Sequence, residues 1–162
     1  MKKKSQQRIA PLEKWLPYRF GLISARIGAF AAPMFKTRYD LPQAAGRMLA
    51  VIARYQPLSA TELAQHTSAD AFKTARTLDL LLKRGLIRRE VDSTDRRKAR
   101  LQLSPKGRSV YRDYEKFARR VEHLWLSVLS ETELEVLYTV LDKVDSKVAT
   151  LGGPNAWQAF VD

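Results

Sequence analysis

Cysteine is absent from this chain, which removes disulfides, thiolate catalysis and cysteine-ligated zinc from consideration. Histidine is nearly as scarce. His66 and His123 are the only two, and no carboxylate pattern around either suggests a metal site or a catalytic pair. The sequence also lacks a glycine-rich phosphate loop, a serine-centred elbow and any paired-acid motif that stands apart from helix-surface charge. No cofactor, no metal and no enzymatic activity are therefore expected. No apolar run approaches the roughly 20 residues that a membrane span needs, and Met1-Lys2-Lys3-Lys4 leads into polar residues rather than a signal-peptide core. A cytoplasmic protein with no membrane association is the expectation.

What is present is a core and a polarised charge. With 45% hydrophobic and 28% charged residues, the 162-residue chain can bury one ordinary interior. Its net charge is +12, unevenly placed. From Lys83 to Arg108 ten Lys or Arg face three Asp or Glu, whereas from Glu131 to Asp162 six acids face two bases. Charge runs are commonly just solvated faces. A basic run that coincides with a nucleic-acid-reading motif favours a polyanionic partner.

Such a motif lies between residues 59 and 108. Ser59 and Glu62 stand at capping-box spacing and start a short helix through Leu63, Ala64 and His66, which stops at Thr67-Ser68. A second amphipathic stretch follows from about Asp70 to Arg84, and Gly85 ends it behind Lys83 and Arg84. Two helices joined by so short a turn read as a helix-turn-helix. At 100° per residue, Ala71, Ala75, Leu78 and Leu82 form the expected buried face of the second helix. Lys73, Arg76, Thr77 and Leu80 form the opposite, groove-reading face.

Beyond Gly85 the period changes from 3.6 to 2. Residues 98 to 103 alternate polar and apolar, with Leu86 to Val91 as a hairpin partner and a polar loop, Asp92 to Arg97, between them. Helix, turn, helix and hairpin with a basic tip make a winged helix-turn-helix.

On either side lie long helical patterns. Leu16, Phe20, Ile23, Ile27, Phe30 and Met34 recur at steps of four and three, the seam of a helix that packs along another. Pro17 suits a first turn, while Pro33 is expected to kink or end the helix near Ala29 to Phe30. Lys36 to Asp40 reads as a polar connection, and Leu41-Pro42 opens the helix that ends at Gln56-Pro57. After the hairpin, Ser104-Pro105 starts a helix with the seam Val110, Tyr114, Phe117, Val121, Leu124 and Val128. Ser130 and Glu133 form another capping box, followed by the seam Leu134, Leu137, Leu141, Val144, Val148 and Leu151, which Gly152-Gly153-Pro154 should stop. The tail carries Trp157 and Phe160 and is expected to dock.

At this point the residues resemble a family. Arg76, Asp79, Leu82, the run Lys83-Arg84-Gly85-Leu86-Ile87, Arg89, Asp95-Arg96-Arg97, Leu103 and Ser104-Pro105-Lys106-Gly107 are similar to the core pattern of MarR-family transcription regulators. Two positions depart from it: Leu80, where many relatives are polar or basic, and Ala45-Gly46, where many carry an acid and a large aromatic. The fold expected is mainly α with a small β-hairpin wing, a winged helix-turn-helix plus N- and C-terminal dimerisation helices. Residues 1–40 would hold an arm and a dimerisation helix, 41–104 the DNA-binding domain, and 105–162 the C-terminal dimerisation helices and tail.

The partners expected are double-stranded DNA with a pseudo-palindromic operator, a second copy of the chain, and a small effector. The DNA-binding set is Ser68, Lys73, Thr74, Arg76, Thr77 and Leu80 from the helix-turn-helix with Asp95, Arg96, Arg97 and Lys98 from the wing. The resemblance implies a repressor released by an aromatic carboxylate or its thioester. Effector candidates are Arg19, Ile23, Arg26 and Phe30 on the first helix with Gly46, Arg47 and Ala50 on the second, where small side chains would leave room for a ring and an arginine would fix the carboxylate. Close helix packing at Gly46 is the competing reading, and arginines that meet neighbouring acids are the other. A DNA architectural protein of weak specificity and a protein-binding winged helix are the alternative functions.

Overall fold

A short 3-10 turn, Leu12–Lys14, precedes α1 (Leu16–Tyr39) in the computed structural model, which describes residues 11–67, 71–91, 99–151 and 155–161. Then follow α2 (Gln43–Tyr55), α3 (Ala60–Thr67), α4 (Ala71–Lys83), β1 (Ile87–Val91), β2 (Ala99–Leu103), α5 (Pro105–Leu126), α6 (Glu131–Ala149) and a 3-10 turn, Ala156–Phe160. The chain divides into two compact units, one ending at Tyr114 and one beginning at Glu115. Among the described residues no helix is long and apolar enough to cross a membrane.

Local signals set most of the element ends. Pro17 sits in the first turn of α1, where its missing N–H costs little. The Ser59 N–H donates to the Glu62 carboxylate (2.6 Å) and the Glu62 N–H to Ser59 Oγ (3.2 Å), so the capping box of α3 is complete. Ser130 and Glu133 close the same box on α6. Gly85 adopts φ 65°, its N–H bonds Leu82 O (2.9 Å), and the Leu86 N–H bonds Leu81 O (2.9 Å). That pair of bonds is a Schellman stop, with Leu81 and Leu86 both buried beneath it.

Helix α1 departs from expectation at both the proline and its end. It runs unbroken through Pro33 and on to Tyr39, taking in Lys36 to Arg38, with Asp40 as a left-handed cap. The missing Pro33 N–H bond is offset by packing on both sides. Gly28 lies against the Gln43 side chain and Phe35 against Gly46, so α2 holds the axis. The Asp40 carboxylate accepts from Lys36 and from Arg84 at the end of α4, and these two bonds, Lys36 first, hold its pKa below the usual carboxylate range.

The interior of the first unit is built on Phe35, Leu41, Leu49, Ile52, Leu63, Leu81 and Leu103, all at most 1% exposed. Tyr111 and Tyr114, from the start of α5, pack onto it. Beside them Asp113 accepts a fork from Arg38 (Nε 2.6 Å, Nη2 3.1 Å) and the Tyr39 hydroxyl, which ties α5 to the end of α1. The antiparallel hairpin pairs Ile87 with Leu103 and Val91 with Ala99. Leu58 adds a one-residue bridge to Leu101, a third strand too short for periodicity to reveal. The stop expected at Gly152-Gly153-Pro154 lies outside the described residues, as do the side chains of Trp157 and Phe160.

Candidate nucleic-acid interface

Helix α4 is rotated about its axis relative to expectation. Thr74, Thr77, Leu78 and Leu81 are its buried positions, while Phe72, Lys73, Ala75, Arg76, Asp79 and Lys83 are exposed. The buried centre therefore lies roughly 90° from the one that Ala75, Leu78 and Leu82 imply. Two threonines caused the difference, because hydroxyl side chains short enough to pack are counted as polar. Thr74 is 3% exposed, its hydroxyl has no hydrogen-bond partner among the described residues, and Thr77 is 8% exposed. Leu80 is half-buried and packs against the core. Thr74, Thr77 and Leu80 are thus corrected from groove-facing to inward-facing. Ala75, expected inside, is outside.

Lys73 and Arg76 stay on the exposed side. Among the described residues Arg76 makes no ion pair, which leaves its guanidinium fork available, whereas Asp79 and Lys83 on the same stripe bind each other (2.8 Å). That bond raises the Lys83 pKa. Phe72 in the first turn, 77% exposed, is the feature that the sequence reading missed. An aromatic ring on an otherwise polar helix stripe is the signal that would have found it.

Residues of the turn into α5 hold the C-terminal end of α4. Behind Gly85, Lys106 Nζ donates to Arg84 O (3.0 Å) and Ser104 Oγ to Gly85 O (2.6 Å), while Ser104 Oγ accepts the Gly107 N–H (2.9 Å) as the cap of α5. A Cβ on Gly107 would collide with the Leu86 carbonyl. The Ser104-Pro105-Lys106-Gly107 motif is thereby explained: it joins the C-terminal carbonyls of α4 to the start of α5. On the other side Glu62 accepts from Arg100 of β2 (2.8 Å), which fastens the hairpin to α3. The Ser59 N–H is the main cause of Glu62's lowered pKa, with Arg100 adding to it.

Glu90 accepts from Arg88 along the same strand (2.8 Å) and from Gln102 across the hairpin (2.7 Å). The wing residues expected to meet DNA, Asp95, Arg96, Arg97 and Lys98, lie outside the described residues, and so does Ser68. His66, exposed, stacks on Tyr55 with ring centroids 4.0 Å apart.

A helix-turn-helix fastened to a two-stranded hairpin is the geometry of a winged helix, and the MarR family model matches residues 39–98. Over that segment this winged helix is similar to the MarR family. Over 127 residues the chain is 28% identical to the uncharacterized HTH-type transcriptional regulator YfiV of Bacillus subtilis (strain 168), covering 78% of this chain and 77% of that one. The crystal structure of a MarR-family transcriptional regulator from Silicibacter pomeroyi superposes with a TM-score of 0.74 at 28% identity, covering 85% of this chain and 92% of the other. The S. aureus MepR–DNA complex superposes at 0.73 with 24% identity, over 83% and 98%.

The effector candidates do not come together as expected for a MarR-type pocket. Gly46 has no spare volume: the Phe35 ring occupies it, and a Cβ there would sit 2.7 and 2.8 Å from Cε1 and Cε2. The close-packing reading of Gly46 is the correct one. Arg47 follows Gly46 directly and Ala50 lies one turn further along α2, whereas Arg19 lies sixteen residues before Phe35 on α1, roughly 24 Å along the axis. Arg19, Ile23, Arg26 and Phe30 are all exposed, and among the described residues Arg19 and Arg26 make no ion pair.

Proposed function

We propose that this protein is a MarR-family transcription regulator that binds DNA sequence-specifically, as a homodimeric repressor on a pseudo-palindromic operator. The observation that carries the reading is the exposed stripe of α4, where Arg76, which makes no ion pair among the described residues, follows Phe72 and Lys73 in the half of the helix that meets base edges in such folds. The excess of ten bases over three acids between Lys83 and Arg108 suits the phosphate backbone beside it. The test is fluorescence anisotropy against a duplex selected from a randomised pool, with nonspecific DNA as competitor. Specific binding should exceed nonspecific binding by about a thousandfold or more. Equal affinities would favour the architectural reading, and no salt-dependent binding would favour a protein-binding module.

The dimer reading rests on apolar stripes that the described residues leave open. Leu16, Phe20, Ile23 and Phe30 of α1 are each between 44 and 57% exposed, and Leu141, Val144 and Val148 of α6 between 38 and 57%. Four-three spacing fits them to partner helices rather than to water. A second copy would bury these stripes and set two α4 helices about 34 Å apart, one DNA turn. Sedimentation velocity on Phe20→Glu/Ile23→Glu should give a monomer where the parent chain gives a dimer.

An aromatic carboxylate or its thioester remains the effector proposed, with Arg19 and Arg26, seven residues apart on one flank of α1, as its anion partners. A coupling of about 1 to 3 kcal/mol would weaken operator binding roughly 5- to 150-fold. Thermal-shift screening against aromatic acids and their coenzyme A esters tests this. A panel with no hit that also lowers operator affinity would reject it.

A further inference from the structure

We infer that Phe72 is a specificity-determining residue that reads the 5-methyl group of a thymine in the major groove. The inference rests on the DNA-binding reading above. Phe72 belongs to the first turn of α4, and its ring is 77% exposed, more than any leucine, isoleucine, tyrosine or other phenylalanine among the described residues. The other exposed members of its stripe are Arg76, Asp79 and Lys83, at steps of four, three and four, so the ring does not belong to an apolar face that another helix could cover. Its neighbours in the first turns, Lys73 and Arg76, are cations suited to phosphate and guanine. A ring left in water between them forfeits the area it could bury, and the one apolar group that a base pair presents in the major groove is the thymine methyl. Leu80, the one apolar residue that the sequence places on the groove-reading face, is partly buried against the core, which leaves Phe72 as the apolar group of that face.

The probe is the duplex selected by the full chain from a randomised pool, in which each thymine is then replaced singly by deoxyuridine, a change that deletes only the methyl. At one thymine, or at its symmetry mate, the parent chain should lose about fourfold in affinity, the value of one buried methyl group. Phe72→Ala should bind the thymine and deoxyuridine duplexes equally, with its thermal denaturation midpoint unchanged, and Phe72→Leu should recover part of the preference. If no deoxyuridine substitution mattered, or if Phe72→Ala kept the parent's preference, the inference would be overturned while operator binding stood. A chain that selected no duplex at all would overturn the DNA-binding reading and this inference together.

Discussion

Phe35 points the tip of its ring at Gly46, so closely that α2 has no room for a side chain at that position. Phe35 is 1% exposed and also packs on Tyr39 and Tyr114, with centroids 6.1 and 4.8 Å away, so it cannot swing aside. Adding a Cβ at Gly46 overpacks the junction of α1 and α2. Gly46→Ala should lose about 1 to 3 kcal/mol to overpacking, less the roughly 1 kcal/mol that alanine gains over glycine in a helix interior. Phe35→Leu in the same chain should relieve the clash, and urea denaturation of the four chains measures the coupling. Additive effects would show that the two residues do not compete for one space.

Gly107 is more constrained, because a Cβ there meets the Leu86 carbonyl, and backbone yields less readily than a ring. Gly107→Ala is expected at or beyond the upper end of the roughly 1 to 3 kcal/mol that overpacking costs. Since the Ser104-to-Gly107 turn also holds the carbonyls of Arg84 and Gly85, the variant should lose operator affinity at temperatures where it is still folded. Circular dichroism and anisotropy on the same samples separate the two effects.

On the reading helix, Arg76→Ala should cost on the order of 1 to 3 kcal/mol of operator affinity and relax preference at a single base position. Thr77→Ala supplies the contrast. Its side chain is buried, so it should lower stability and leave base preference as it was. A selection experiment in which the Thr77 variant changed its preferred sequence would contradict the rotation of α4.

For the wing, Arg97→Ala should weaken operator binding and reduce the magnitude of the salt slope by about one, as expected when one cation that enters the minor groove is lost. Binding measured across a range of KCl concentrations is the check. An unchanged slope and affinity would remove Arg97 from the interface.

The alkaline limb of stability should report Tyr39. Burial pushes its hydroxyl up to about 12, and the bond it donates to Asp113 adds to the shift. The folded state thus keeps a proton that the unfolded chain releases near pH 10, so this contribution is complete below pH 10 and is lost as pH rises towards about 12. Tyr39→Phe should remove that component, leaving a shallower decline than the parent chain shows between these pH values. Parallel curves for the two proteins would mean that Tyr39 titrates alike in both states.

What the residues by themselves determined about this protein lies within a few positions along the chain. Ser59 with Glu62, Ser130 with Glu133, Gly85 behind Arg84 and the alternation into β2 act through neighbours at most five residues away, so sequence spacing decides them. The tertiary structure decided whatever depends on a second element. Which way α4 faces was settled by the packing of Thr74, Thr77 and Leu81, since threonine can turn its methyl inward at little cost in volume and so has no fixed side of a helix. That α1 continues through Pro33 depends on a second element, since α2 packs against it on both sides of the proline, at Gly28 and Phe35. The expected cavity at Gly46 closed for the same reason: a small residue leaves space only until the chain brings a partner to it, and the partner was an aromatic eleven positions earlier.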